Sequence, residues 1–233
     1  MRSNERPDSK GARVMQGLDF SVVPAYAEIL WLGVVWTSVV TVSAAVVSFF
    51  GGIVFALAVL YAPAVLRYPV RLFVWLFMGT PLLLQLFLIY FGLVQIGIDI
   101  PALVAGIVGL GLHFAVYNAD IVRAGIVAVD PGQAEGARSL GLGRARTFRY
   151  VIIPQAVRSV TPPIGNNMIA LLKDSALVSV IGVAELVHAA QLAISETFRP
   201  FEFYITVAAL YYLLNMVLEY GLRAIESRVE ASR

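Results

Sequence analysis

The chain has no cysteine among its 233 residues, so disulfides and thiolate-bound metals are excluded. It holds only two histidines, His113 and His188, too few for a histidine-rich metal site; each is read as packed or interfacial. Charge is scarce too. Charged residues make up 14% of the sequence against 59% hydrophobic, where a soluble domain carries about 25% charged. With a mean hydropathy of +0.82 the chain lacks the charge to cover a water-facing surface. Net charge is only +2, and so small an excess gives no reason to expect a nucleic-acid partner. A phosphate-binding loop is missing as well. No stretch reads GxxxxGK[ST], and the single candidate, "GLGRART", lacks the lysine that would reach phosphates. Binding and hydrolysis of ATP in the P-loop manner is excluded. The first twenty residues do not read as a cleavable signal, because Arg2, Arg6, Lys10 and Arg13 are mixed with Glu5, Asp8 and Asp19. Residues 1–28 are read as a solvated tail and an interfacial segment.

What is present is long apolar sequence. Residues 29–66, 72–98, 100–119 and 203–218 contain no Asp, Glu, Lys or Arg. A helix needs roughly 20 residues to cross the hydrocarbon core. The first run exceeds one crossing, so its helix starts in the interface or tilts. Pro63 and Pro69, with Arg67 and Arg71, predict a polar elbow before the second span, and Gly97, Asp99 and Pro101 a tight turn into the third. That third span ends near Asp120 and Arg123, spaced to pair on one helical face. Residues 155–174 predict a fourth span broken at Pro162, Pro163 and Gly165, a form tolerated in lipid only against protein or a wet cavity. Residues 176–199 place Glu185, His188, Ser195 and Arg199 near one face and predict an interfacial or re-entrant helix. A last span follows, and a charged tail occupies 223–233. The expectation is an all-α membrane protein with about five transmembrane helices over 29–222. Five crossings put the termini on opposite sides. Ten basic residues in the elbow, the central loop and the tail then face five on the other side, which predicts an outside N-terminus.

The segment "GQAEGARSLGLGRARTFRYVIIPQA" (132–156) is unlike its surroundings. Asp130-Pro131-Gly132-Gln133 reads as a helix start with an Asp N-cap, Pro at the first helical position and Gln at the capping-box position. Gly141 is a natural left-handed terminator, with Leu142 closing the turn. A helix of about ten residues is therefore predicted, with a small face at Gly132, Gly136, Ala137 and Leu140. That face suits another protein's groove; an ordinary solvated loop is the alternative.

Glu135-Gly136-Ala137, then Gly141, then Val151-x-Ile153-Pro154 resembles the EAA loop of ABC importer permeases, with conservative departures at Gly136, Val151 and Ile153. "GTPLLLQLFLIYFGL" (79–93), "YNADIVRAGI" (117–126) and "PPIGNNMIALLKDSALVSVIGVAEL" (162–186) are similar to the polar amino acid branch of that family. The resemblance implies the type I importer (MetI-like) permease fold in a bacterial inner membrane, with the coupling loop at 130–154. It further implies that Gly132, Glu135, Gly136, Ala137, Gly141 and Pro154 couple the chain to a partner ATPase. The implied partners are two ABC ATPase subunits carrying Mg-ATP, a second permease (the same or a homologous chain) and an extracytoplasmic amino-acid-binding protein. No cofactor is expected on this chain, and the chain is not expected to be an enzyme.

The fourth span carries the polar residues best placed to meet a solute. Asn167 and Asp174 share one helical stripe, and Asn166 and Lys173 the adjacent one. Lys173 and Asp174 are open to a second reading as a helix end. Gln85 and Asn118 are weaker lining candidates, each able instead to bond a neighbouring helix. The resemblance implies Glu at the position of Asn167 in many cation-handling members, and the Arg familiar in the family before Gly-Thr-Pro is Met78 here. A neutral or acidic polar amino acid is thus expected over a cationic one. The competing class is an ion-coupled secondary carrier, which calls for internal repeats or a charged relay across several spans; neither is visible in the sequence.

Overall fold

The computed structural model describes residues 17–231; the first sixteen residues of the expected tail and interfacial segment at 1–28, and the last two residues of the chain, lie outside the described residues. A 3-10 segment, Phe20–Tyr26, leads into α1 (Ala27–Tyr61). Asp19 caps it by accepting from the Ser21 N–H and hydroxyl, which hold the Asp19 carboxyl below its ordinary range. There follow α2 (Ala64–Met78), α3 (Leu82–Phe87), a π-turn (Leu88–Gly92), α4 (Leu93–Gln95) and α5 (Ala102–Val127). Then come α6 (Pro131–Ser139), α7 (Arg144–Thr147), a second π-turn (Phe148–Ile152) and α8 (Ile153–Asp174). A 3-10 stretch (Ser175–Ile181), α9 (Leu186–Thr197) and α10 (Pro200–Ala231) complete the chain.

Four helical stretches among the described residues are long and apolar enough to cross a membrane: Phe20–Tyr61, Ala102–Val127, Arg144–Ile181 and Pro200–Val229. The pair Ala64–Met78 and Leu82–Gln95, bent by 115°, makes a fifth. The N–H of Asp19 donates to Glu202 Oε1 at 3.0 Å, and the Tyr26 and Phe203 rings meet edge to face at 5.3 Å. The starts of α1 and α10 therefore share one end of the bundle. Tyr61, at the far end of α1, meets Phe148 ring to ring at 5.7 Å beside α6 and α7.

Large side chains such as Leu86, Leu110, Phe114 and Leu171 fill the core, but the seam between α1 and α5 is made by small residues. The buried positions of α1 include Gly33, Thr37, Thr41, Ala44, Ser48, Gly52 and Ala56, a stripe repeating every three to four residues. Against it lies α5, whose buried positions include Ala105, Gly106, Gly109, Gly111, Ala115 and Ala119. A Cβ on Gly52 would come within 2.6 Å of Asn118 Cβ, so only glycine allows this separation of the two backbones. Lipid is as apolar as a leucine core, so close packing rather than water exclusion selects the buried face.

Three sequence expectations need correction. The polar elbow shrinks to Ala62 and Pro63, and Arg67, Pro69 and Arg71 lie inside α2. The second span is not one helix: it breaks at Gly79-Thr80-Pro81. The fourth, expected to break at Pro162 and Pro163, runs unbroken as α8. The physical difference lies in what surrounds each proline. Pro81 has no N–H for the Phe77 carbonyl, and the Gln85 side chain supplies the missing donor at 2.7 Å, so the break is satisfied. In α8 the proline rings hold φ near the helical value. Packing on α5 and α10 then keeps the axis, with Gly165 facing Leu222 and Glu226. The charged stretch 223–231 continues α10 as helix.

Candidate functional site

The segment singled out in the sequence forms a helix held at both ends. The Asp130 carboxylate accepts from the Gly132 N–H at 2.6 Å, and Pro131 occupies the first turn, where its missing donor is harmless. The Gln133 N–H donates to the Asp130 carbonyl at 2.9 Å, while its side-chain Oε1 turns away from the cap and accepts from Gln155 Nε2 at 3.5 Å. At the other end Gly141 is left-handed, with φ of 82°. The Leu142 N–H donates to the Ala137 carbonyl at 3.1 Å and the Gly141 N–H to the Arg138 carbonyl at 2.9 Å, the paired bonds of a Schellman stop. The nine-residue α6 leaves Gly132, Glu135 and Gly136 exposed. Ala137, expected on the outward small face, is turned inward and is 6% exposed, whereas Leu140 is 85% exposed. The outward face is therefore less small than the sequence suggested. Pro154 lies exposed in the first turn of α8. Upstream, the ladder widens to i→i+5 as the Ile153 N–H reaches the Phe148 carbonyl.

Of the polar residues singled out for a solute, Asn166 and Lys173 are exposed, and Asn167 and Asp174 are half-buried. Asn167 Nδ2 donates to Asn118 Oδ1 at 3.0 Å, and Asn118 Nδ2 points at Ser48 Oγ at 3.4 Å. The Ser48 hydroxyl ends the relay on the Ala45 carbonyl at 2.9 Å. This chain of donors ties α8 to α5 and α1 through an apolar interior, where an unpaired amide is costly. Lys173 and Asp174 sit where α8 tightens into the 3-10 stretch. Gln85 stands apart from these residues. It is 4% exposed. Its Nε2 also contacts the Thr80 carbonyl and hydroxyl at 3.1 and 2.8 Å, and its Oε1 lies 2.9 Å from His113 Nδ1. Those bonds make it the brace of the bent second span, the bonding alternative raised for it above.

One polar centre escaped the sequence reading. Glu185, placed there on a polar helical face, is wholly buried. Its Oε1 accepts from the His188 N–H at 2.9 Å. Its Oε2 accepts from the Val187 N–H at 2.9 Å, the Tyr211 hydroxyl at 2.8 Å and, weakly, Thr37 at 3.5 Å. It caps α9 and joins that helix to α1 and α10. Arg199, expected on the same face, lies beyond the end of α9 and pairs with Glu202 at 3.2 Å. The signal available was Glu185 standing two residues after Val183 and just before an apolar run, an N-cap position for an acidic side chain. As expected, α9 is too short to span.

Residues 48–231 match the family of binding-protein-dependent transport system inner membrane components. The chain belongs to that family. Such a permease is a multi-pass inner-membrane component, is not catalytic, and works with an ATPase and a solute-binding protein. The arginine transport system permease ArtQ of Bacillus subtilis is 34% identical over 223 residues, 92% of this chain and 99% of the relative. The solved structure of an amino acid ABC transporter with histidines gives a TM-score of 0.86 at 41% identity, covering 91% of this permease and all of that chain. The methionine transporter MetNI in an inward-facing form shares the fold, with a TM-score of 0.69 at 22% identity over 86% of this permease and 96% of that chain. This permease is the membrane subunit of an amino-acid ABC importer.

Proposed function

We propose that α6 is the coupling helix through which two ATPase subunits, carrying Mg-ATP, drive this permease, paired with a second copy or a homologous chain. Glu135 and Gly136 on its outer face, with the caps at Gly132 and Gly141, make a rigid projection suited to a groove. Ala137, turned inward, anchors it to its own chain, and Pro154, exposed in the first turn of α8, is a further coupling position. When ATP closes the ATPase dimer, the two projections move together and the bundle changes its opening. A soluble binding protein on the opposite face delivers the solute.

The solute we propose is a polar amino acid, neutral or acidic in preference to cationic. The observation that carries this is Asn167, whose amide is engaged with Asn118 and offers no countercharge to a guanidinium or ammonium group. Asp174 is the one carboxylate on the same stripe of α8. Asn166 and Lys173 flank the path, and Lys173 favours a carboxylate-bearing solute. The test is ATPase stimulation of the reconstituted complex by a panel of amino acids, with the wild type and Asn167→Glu compared. Stimulation of the wild type by glutamine or glutamate, moved toward arginine or lysine by the substitution, is the expected outcome. A wild type that prefers arginine, the cargo named for the Bacillus relative, overturns the substrate reading.

A further inference from the structure

Beside the proposed coupling helix, and separate from the solute path, lies a cavity of about 620 Å³ lined by Tyr61, Ala134, Arg138, Arg144, Phe148 and Ile152 among others. Its level is fixed by the spans. The stretch Phe20–Tyr61 ends here and the stretch Arg144–Ile181 begins here, so the cavity sits at the boundary of the hydrocarbon on the α6 side. Its walls combine two chemistries. Tyr61, Phe148 and Ile152 are apolar, with the two rings in edge-to-face contact. Arg138 and Arg144 are exposed cations. Among the described residues neither makes an ion pair, and Arg138 spends only its Nε, on the Ala134 carbonyl at 3.1 Å. The acid of α6, Glu135, is not among the lining residues.

We propose that this cavity binds an anionic phospholipid. Its phosphate would lie between the guanidinium groups of Arg138 and Arg144, and the start of an acyl chain against Tyr61, Phe148 and Ile152. Two forked donors match a phosphate diester, and an apolar wall at headgroup depth matches what is attached to it. A free phosphate ion would use the arginines and leave the apolar wall wet. Bound lipid would tie the end of α1 to α6 and so stiffen the joint that transmits motion.

The test uses the assembled permease–ATPase complex in nanodiscs of phosphatidylcholine with a titrated fraction of phosphatidylglycerol. Retained lipid is counted by native mass spectrometry, and solute-stimulated ATPase is measured in parallel. Each of Arg138→Gln and Arg144→Gln should weaken phosphatidylglycerol retention about fivefold. Arg144→Lys, which keeps the charge but not the forked donors, should restore part of it, and the charge-matched single changes Arg223→Gln and Arg228→Gln should each leave it unchanged. Three results overturn the proposal. One is equal loss in the charge-matched variants, which would mean unspecific surface attraction. Another is displacement of the lipid by millimolar inorganic phosphate, which would mean a plain anion site. The third is unchanged lipid retention with loss of the ATPase subunits, which would give the cavity to the protein partner.

Discussion

Removing the Glu185 carboxylate tests the joint between α1, α9 and α10 in a way that separates geometry from charge. Glu185→Ala takes away the cap of α9, about 1 kcal/mol. It also leaves the Tyr211 hydroxyl without its acceptor among buried neighbours, about 2 kcal/mol more. The carboxylate's own desolvation works the other way, but four donors are already aimed at it. The net loss is about 3 kcal/mol. Glu185→Gln is gentler. Its single carbonyl can take the place of Oε2, with three donors, while the amide nitrogen then confronts the His188 N–H; about 1 kcal/mol is lost. Amide hydrogen exchange of the complex in nanodiscs reads this locally. Protection in α9 should fall about a hundredfold for Ala and about fivefold for Gln, with α5 amides unchanged in both. Equal effects of the two substitutions, or a fall in α5 as large as in α9, would show that Glu185 is not a local brace and would refute the reasoning.

Other outcomes follow from the same geometry. Gly52→Val should separate α1 from α5 and abolish the monodisperse folded protein, by overpacking of about 3 kcal/mol or more; Gly92→Ala, where a Cβ meets nothing within 4 Å, should be neutral in the same detergent chromatography. Gly141→Val strains a left-handed stop by about 1 kcal/mol or more. Combined with Glu135→Arg, it should end ATPase association and transport while membrane insertion persists, and normal transport by the double variant would sink the coupling role. Because the native chain has no cysteine, Ser3→Cys and Ser139→Cys are labelled without background. An impermeant maleimide should reach Ser3→Cys in intact cells and Ser139→Cys only after permeabilisation, and the reverse pattern would overturn the outside N-terminus.

Much of this permease was written in its sequence, and the reasons are local. Uncharged length marks spans because a charge in hydrocarbon is costly over any stretch of twenty residues, whatever lies beside it. Asp130, Pro131, Gly141 and Leu142 fixed α6, because caps are decided by the residues at a helix's own ends. Tertiary structure alone decided the rest. Two prolines in α8 left the helix whole, while one proline at 81 broke the second span, since Gln85 stands ready there to replace the lost donor and His113 holds it in place. Ala137 turned inward where a groove-facing role was expected, and Glu185 left a polar face for the interior. Which side of α1 is buried was equally hidden, because lipid and protein interior are alike in polarity. In water a helix declares its inner face by hydrophobicity; in a bilayer only the size of the side chains, and what happens to stand opposite them, makes the choice.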